Sequence, residues 1–328
     1  MPAPLNVALF AFDGMQILDI TGPAAVFAAA NDAAGRAVYR VHLLSAHGGA
    51  VHSNSAVAVL AQPLHSLAPA LVDTLLIAGG GLAQLADSVT AHAVGDWIRA
   101  ATVACRRYGS ICTGVFALAQ LGLIDGKRVT THWSACAALA GTCPAAQVDA
   151  SALFVEDGRL WTSAGVTTGI DMSLEMVARD LGQAVANGIA QRLVLDVRRP
   201  GYQSQTSPVL KAQAAAEPGM IALFDWIAAH LGESLDVPRL AARMAMSERT
   251  FHRKFTACAG ATPARFIERL RLDRALQLLQ AGVALKQVAA SVGYPGAAQL
   301  TVAFERHYGR SPSTFQVVAE VPAALTAS

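Results

Sequence analysis

Charge is scarce in this chain of 328 residues: 15% are Asp, Glu, Lys or Arg, and 6% are aromatic. With 53% hydrophobic residues, that composition excludes a disordered chain and a coiled-coil rod, both of which need dense charge. Cysteine is sparse too, at five. The count is odd, no spacing suggests a disulfide framework, and no Cys or His pair completes a zinc pattern. His42, His47, His52 and His65 do not fall at ligand spacing on one helix face. Reduced thiols, no metal and no cofactor are therefore expected. Charge or glycine breaks every apolar run well before bilayer length, and the first residues lack a basic leader followed by an apolar stretch. The expectation is a cytoplasmic protein with no membrane partner.

The charge that is present is unevenly placed. Residues 1–219 hold 13 Lys and Arg against 15 Asp and Glu, whereas residues 220–318 hold 12 against 7. A basic C-terminal third behind a near-neutral body points to a polyanionic partner for that third alone. The length exceeds one ordinary core, so two domains are expected.

Apolar runs at 7–10, 40–44, 74–78, 108–112 and 129–131 read as strands, and 23–30, 91–105, 115–121 and 172–180 as helices. Such alternation predicts a largely parallel sheet covered on both faces. Asp157-Gly158 within 154–162 predicts a hairpin. The stretch 198–219 has three prolines and no apolar period, and reads as a linker between a domain at 1–197 and one at 220–318, with a tail at 319–328. Beyond it the apolar spacing is helical throughout, at 220–231, 237–244, 247–257, 263–280, 285–292 and 297–308.

In the helical third, Leu240-Ala241 with Met244, a break, and then Ser247 to Phe255 has the form of a helix-turn-helix. Ser247 is placed to cap, with Glu248 favourable against the helix dipole. Phe251 and Phe255 lie one turn apart and pack inward, which turns Arg249, His252, Arg253 and Thr256 outward together. An exposed basic helix suits the major groove, where Arg bonds guanine bidentately and Lys holds phosphate. The pattern returns at Leu285–Tyr294 and Gln299–Gly309, joined to the first by one long helix at 263–280. Two modules on one rigid helix can enter successive major grooves about 34 Å apart.

This constellation resembles the DNA-binding domain of AraC/XylS-type regulators: RLRLDRALQLLQAG resembles the linker-helix signature of that family, and the GY…F…GRSPSTF run its C-terminal signature. The resemblance puts Arg249, His252 and Arg253 on the reading face of the first module, and Ala297, Ala298, Thr301 and Val302 on that of the second. Relatives often carry Arg where Val302 stands. The second module is therefore expected to touch mainly backbone through Gln299, Thr301 and Arg306.

In the first domain Ser110-Ile111-Cys112-Thr113-Gly114 follows an apolar run and opens a helical one. A tight strand–nucleophile–helix turn needs small residues two positions to either side, and Ser110 and Gly114 provide them. The helix N-terminus is expected to lower the pKa of Cys112. Gly79-Gly80-Gly81 is expected to offer backbone N–H groups to an anion. Asp19, among apolar neighbours, is expected to have a raised pKa and to hydrogen-bond the thiol.

These pieces resemble the DJ-1/PfpI superfamily, a flavodoxin-like α/β fold related to class I glutamine amidotransferases, over roughly residues 5–190. The resemblance makes Cys112 the elbow cysteine and Asp19 its acidic partner. Thr113 stands where protease-like members carry His, which argues against a peptidase. Asp19 with Cys112-Thr113 resembles the isocyanide hydratase branch, and Thr130-Thr131-His132-Trp133 recurs there and in regulators. The whole chain is similar to GlxA-type regulators of the AraC family. The resemblance implies an α/β flavodoxin-like domain followed by an all-α, homeodomain-like tandem helix-turn-helix. It further implies a non-enzymatic homodimer that binds operator DNA, and RNA polymerase if it acts as an activator. Such a regulator would sense a small nitrogenous effector through Asp19, Gly80, Cys112, Thr113, Gly114 and His132, and would control a catabolic or uptake operon. The alternative is a cysteine-dependent hydratase or amidase using Cys112 and Asp19, with an oxidation sensor at Cys112 as a third possibility.

Overall fold

A computed structural model describes residues 3–195, 198–205 and 207–315. It divides the chain into two compact units, 1–205 and 206–328. The tail expected at 319–328 and the last residues of the domain expected to end at 318 lie outside the described residues, as does the expected first-domain boundary at 197.

The first unit contains the strands β1 (Leu5–Phe10), β2 (Tyr39–Ser45), β3 (Gly49–His52), β4 (Ala58–Pro63), β5 (Thr74–Ile77), β6 (Arg107–Ile111), β7 (Arg128–Val129), β8 (Gln147–Val148), β9 (Phe154–Asp157) and β10 (Leu160–Ser163). Its helices are α1 (Ile17–Ala34), α2 (Leu82–Thr90), α3 (His92–Ala104), α4 (Val115–Gln120), α5 (Cys136–Thr142), α6 (Thr168–Leu181) and α7 (Gln183–Arg192). The main sheet runs β3-β4-β2-β1-β5-β6-β10-β9 and is parallel except at its two edge pairs. The central strands are buried along most of their length, as continuous apolar runs between two helical layers must be. The hairpin expected at 154–162 is β9–β10.

Several boundaries move. The strand expected at 129–131 is β7, which pairs with β8 outside the main sheet. The hairpin β3–β4 carries too little apolar alternation to be read: its burial is broken and Leu60 is 82% exposed. The helix expected to start at Pro23 begins at Ile17, with Pro23 inside it. Proline removes one i→i−4 bond but does not end the helix when tertiary contacts hold the preceding turn. Here the Asp19 side chain anchors that turn by accepting from two backbone N–H groups.

The second unit is all helical: α8 (Pro208–Ala214), α9 (Pro218–Ala229), α10 (Val237–Arg243), α11 (Glu248–Ala259), α12 (Pro263–Gln280), α13 (Leu285–Ser291) and α14 (Ala297–Tyr308). It has two apolar clusters. One gathers Leu223, Phe224, Leu240, Phe251, Phe255 and Phe266. The other gathers Leu272, Leu276, Val288, Leu300 and Phe304. The long helix α12 serves both.

The stretch expected as a linker, 198–219, is shared between the two units. Residues 198–205 are bonded to the α/β unit, whereas α8 is a capped helix: the Ser207 side chain accepts from the Leu210 N–H, Pro208 opens the first turn, and Ala212 is buried in the first helical cluster. With only Val209 and Ala212 packed inward and Leu210 left 67% exposed, α8 shows little period in sequence.

Candidate functional site

Two groups of residues carry the chemistry. The first lies at the end of β6. Cys112 has φ 56, a left-handed conformation held by a single 3-10 turn, Cys112–Gly114, before α4 begins. This is the strained strand-to-helix elbow that the flanking small residues require. Gly114 is buried against the Ile77 carbonyl. Gly165 closes the elbow from the other side: at φ +96, a Cβ there would stand 2.2 Å from the Cys112 Cβ, so only glycine fits.

Asp19 is fully buried beside this elbow. Its two oxygens accept from the backbone N–H of Gly79 at 2.9 Å and of Val166 at 2.8 Å. The expected hydrogen bond to the thiol is thus replaced by two bonds to backbone. Burial pushes the Asp19 carboxyl up to about 6, against the lowering effect of those two bonds. The Cys112 thiol moves opposite to expectation. Burial, helped by the nearby Asp19 charge, pushes it up to about 12, outweighing the backbone and hydroxyl of Thr113. A half-buried thiol facing a carboxylate is held protonated, and the short helix α4 does not reverse that.

The glycine run is not an open anion site. Gly79 N–H is taken by Asp19, Gly80 N–H donates to the Thr113 hydroxyl at 2.8 Å, and Gly81 N–H points to the Gly14 carbonyl at 3.4 Å. The Thr113 hydroxyl donates in turn to the Gly80 carbonyl at 2.9 Å. Thr131 closes the other wall, its hydroxyl donating to the Cys112 carbonyl at 2.8 Å. His132 follows, half-buried, with its Nδ1 2.7 Å from the Ser134 hydroxyl and its ring 5.3 Å from that of Trp133, which is 58% exposed. The structure therefore brings Asp19, Gly80, Cys112, Thr113 and Gly114 to one elbow, with His132 adjoining through Thr131.

The stretch expected as a linker begins with an arm, residues 198–205, that is part of this unit and makes contacts its sequence did not announce. Gln205 donates its side-chain amide to the Thr131 carbonyl at 2.9 Å, the Ala152 carbonyl at 3.0 Å and the Thr130 hydroxyl at 3.1 Å. Arg199 clasps the buried Asp171 and donates to the Thr167 hydroxyl at 2.8 Å, beside Val166. Both contacts cross tens of residues, and local pattern carries no sign of them.

The second group lies on the helical unit. Ser247 caps α11 by accepting from the Thr250 N–H at 3.4 Å. Phe251 and Phe255 are fully buried, while Arg249, His252 and Arg253 are exposed. Thr256 departs from its expected place: its hydroxyl is buried and without a partner among the described residues. On α14, Ala298, Gln299 and Val302 are exposed. Ala297 is half-buried, and the Thr301 hydroxyl donates to the Ala297 carbonyl of its own helix at 2.9 Å. Arg306 is paired with Glu268 of α12. The second module thus presents Gln299 among apolar side chains, poorer still in polar groups than expected.

Among the described residues no group of three or more His, Cys, Asp or Glu could hold a metal, and no helix is long and apolar enough to cross a membrane. The cysteines are free.

Comparison with known proteins finds a family match in each unit. Residues 5–179 match the DJ-1/PfpI family and residues 240–317 match a helix-turn-helix domain. The chain is 31% identical to the HTH-type transcriptional regulator CdhR of Pseudomonas aeruginosa, over 86% of this chain and 82% of that protein. It is 33% identical to an isonitrile hydratase of Pseudomonas putida, over 55% of this chain and 76% of that one. In fold it is similar to a ThiJ/PfpI family protein from Pseudomonas syringae, with a TM-score of 0.54 at 21% identity, covering 74% of this chain and 92% of that one. The regulator similarity, over 282 residues, extends across both units, whereas the hydratase similarity, over 186 residues, is shorter than the first unit. The chain belongs to the DJ-1/PfpI family and, through its AraC-type helix-turn-helix domain, is a DNA-binding transcription regulator.

Proposed function

We propose that the elbow around Cys112 is a binding site for a small nitrogenous effector, that it carries out no turnover, and that its occupancy is passed to the DNA-binding unit through the arm at 198–205. The observation that carries this reading is the attachment of the arm to both walls of the elbow. Gln205 bonds the Thr131 carbonyl while the Thr131 hydroxyl bonds the Cys112 carbonyl. Arg199 bonds Thr167 beside Val166, whose N–H holds Asp19. A ligand that favours one arrangement of these walls favours one arrangement of the arm, and that differential affinity is all that coupling requires. The engaged N–H groups of Gly79 and Gly80 leave few donors for an anion. The rings of His132 and Trp133, near the buried Asp19 charge, suit a neutral or cationic nitrogen compound better. The protonated thiol and the closed glycine run support a binder over a hydratase. The controlled genes would then be those for uptake or breakdown of such a compound, by a cytoplasmic homodimer that contacts RNA polymerase if it activates.

The test replaces Cys105, Cys136, Cys143 and Cys258, all free thiols, by alanine, alkylates the remaining Cys112 with iodoacetamide at alkaline pH, verifies the single adduct by mass spectrometry, and titrates operator DNA by fluorescence anisotropy. The adduct stands in for an occupant. It shifts DNA affinity in that chain, and the shift is lost when Gln205→Ala is added. An adduct that leaves affinity untouched defeats the coupling.

Arg249, His252 and Arg253 on α11 are proposed to read the operator, with Ala297, Ala298, Gln299 and Thr301 contributing shape and backbone contact. Arg249→Ala weakens specific binding by about 1–3 kcal/mol and relaxes preference at one base pair, while affinity for random duplex changes little. Uniform weakening across all sequences, with a shallower salt dependence, assigns Arg249 to phosphate instead.

A further inference from the structure

The apolar core of the helical unit changes hands inside α12. Phe266, Ile267 and Leu270 belong to the first module's cluster, whereas Leu272, Ala275, Leu276 and Leu279 belong to the second. The two clusters are separate, so no common apolar core sets the angle between the modules. The residue at the changeover is Arg271.

Its guanidinium leaves the long helix and reaches the chain just after α9. Nε donates to the Leu231 carbonyl at 3.0 Å and Nη2 to the Glu233 carbonyl at 2.7 Å. The turn after α13 closes on the same point. Gly293, at φ +75, brings its Cα so near that a Cβ would stand 2.5 Å from the Leu231 carbonyl and 2.6 Å from Arg271 Nη2. A Cβ on Gly232 would meet the Ser291 carbonyl at 3.0 Å. Around this junction the modules stand apart, leaving a cleft of about 690 Å³ whose walls include Asp236, Glu268, Tyr294 and Pro295. The Arg306–Glu268 pair also ties α14 to α12, but both side chains are well exposed, and such pairs contribute little.

We propose that Arg271 is a positioning residue for DNA recognition: its clasp on the Leu231 and Glu233 carbonyls, closed over by Gly293, sets the separation and relative turn of α11 and α14, and with them the spacing of the two DNA boxes that the protein accepts. A planar guanidinium with donors in a rigid fork suits this role, since it bonds two carbonyls of one loop at once. The inference rests on α11 and α14 both meeting DNA. If it holds, losing the clasp leaves each module folded on its own cluster along α12 but loosens the turn of one against the other about that helix. Binding to two boxes at one fixed spacing then loses its cooperative advantage.

The test uses full-length chain and duplexes that the wild type selects from a random pool. Three probes follow: the selected two-box duplex, the same duplex lengthened or shortened by one base pair between boxes, and a duplex with only the first module's box. Wild type discriminates sharply between the first two. Arg271→Gln loses about tenfold or more on the selected duplex, changes less than twofold on the single-box duplex, and no longer prefers the native spacing. Arg271→Lys, with one ammonium for two carbonyls, falls between. Gly293→Ala, which crowds the clasp from the opposite side, gives the same signature, and circular dichroism of each variant checks that the helices remain. Salt dependence separates the alternatives, because a lost phosphate contact flattens the slope of log affinity against log salt by about one, whereas a lost clasp does not. Retention of spacing preference in Arg271→Gln overturns the proposal. So does equal loss on single-box and two-box duplexes. A wild type that selects only one box removes the premise that both helices read DNA, and the inference falls with it.

Discussion

Iodoacetamide modifies Cys112 of the native chain at about pH 7.5 at least 30-fold more slowly than it modifies a cysteine in a short peptide, and the rate climbs about tenfold per pH unit, without a plateau, to about pH 10. Two opposing effects set that magnitude. Moving the thiol from 9.0 up to about 12 lowers the thiolate fraction at neutral pH on the order of a thousand-fold. A more basic thiolate is intrinsically more nucleophilic, and a Brønsted slope of roughly 0.4–0.5 returns about 20- to 30-fold of that loss. The thiolate fraction therefore wins, and the half-buried position only slows the reaction further. Asp19→Asn removes the charge that is the second cause of the shift but leaves the larger one, burial, in place. The variant accordingly reacts only a few-fold faster. The difference has a pH signature. Asp19 is raised to about 6, so below that pH it is neutral in the wild type too, and the two rates converge; above it the carboxylate is charged and the wild type falls behind. Rapid labelling that levels off near neutral pH would mean an activated thiolate. That outcome would revive the hydratase reading that the isonitrile hydratase similarity invites.

Phe255→Ala destabilises the helical unit by about 3–5 kcal/mol, the usual cost of removing a buried aromatic ring. The high end is expected, because this ring is the hub of the first module. Its centroid lies 5.1 Å from that of Phe224 on α9, 5.4 Å from Phe251 on α11 and 5.3 Å from Phe266 on α12, with edge-to-face geometry toward Phe224 and Phe266. Phe255 is fully buried, so neighbours on three helices lose a partner together. A domain of this size has a total stability of only about 5–15 kcal/mol, so the loss takes most of its margin. In thermal unfolding, the transition that carries the helical unit falls by roughly 15 °C or more. Specific DNA binding is lost near body temperature and recovers on cooling. The α/β unit, whose apolar cluster is separate, keeps its own transition, and Cys112 keeps its slow alkylation. A shift equivalent to less than about 1 kcal/mol would show that the cluster relaxes around the cavity. Loss of the α/β transition as well would show that the two units fold as one.

Much of the site was legible because it depends on local rules. A tight elbow demands small neighbours, so Ser110 and Gly114 marked Cys112, and its positive φ agrees. A capped amphipathic helix needs Ser247 before an alternation of Phe251 and Phe255 with Arg249, His252 and Arg253, and that is how α11 is built. The exposed hairpin β3–β4 was not legible, since strands with little burial carry little pattern. Nor was α8, whose few apolar residues show no period until Ala212 is seen in the core.

The chain's own order of residues determined the fold class, the two modules joined by α12, and which cysteine stands at the elbow. Each follows from spacing within a few residues, where side-chain direction is dictated by helix or strand period. Tertiary structure alone decided what those residues can do. It buried the Cys112 thiol beside Asp19 and so kept it protonated. It spent the N–H groups of Gly79 and Gly80 on Asp19 and Thr113. It tied Gln205 to Thr131 and Arg271 to the Leu231 and Glu233 carbonyls. Each of these joins groups tens of residues apart in sequence, and protonation and hydrogen bonding depend on which groups share a dehydrated volume. Spacing within a few residues cannot encode that.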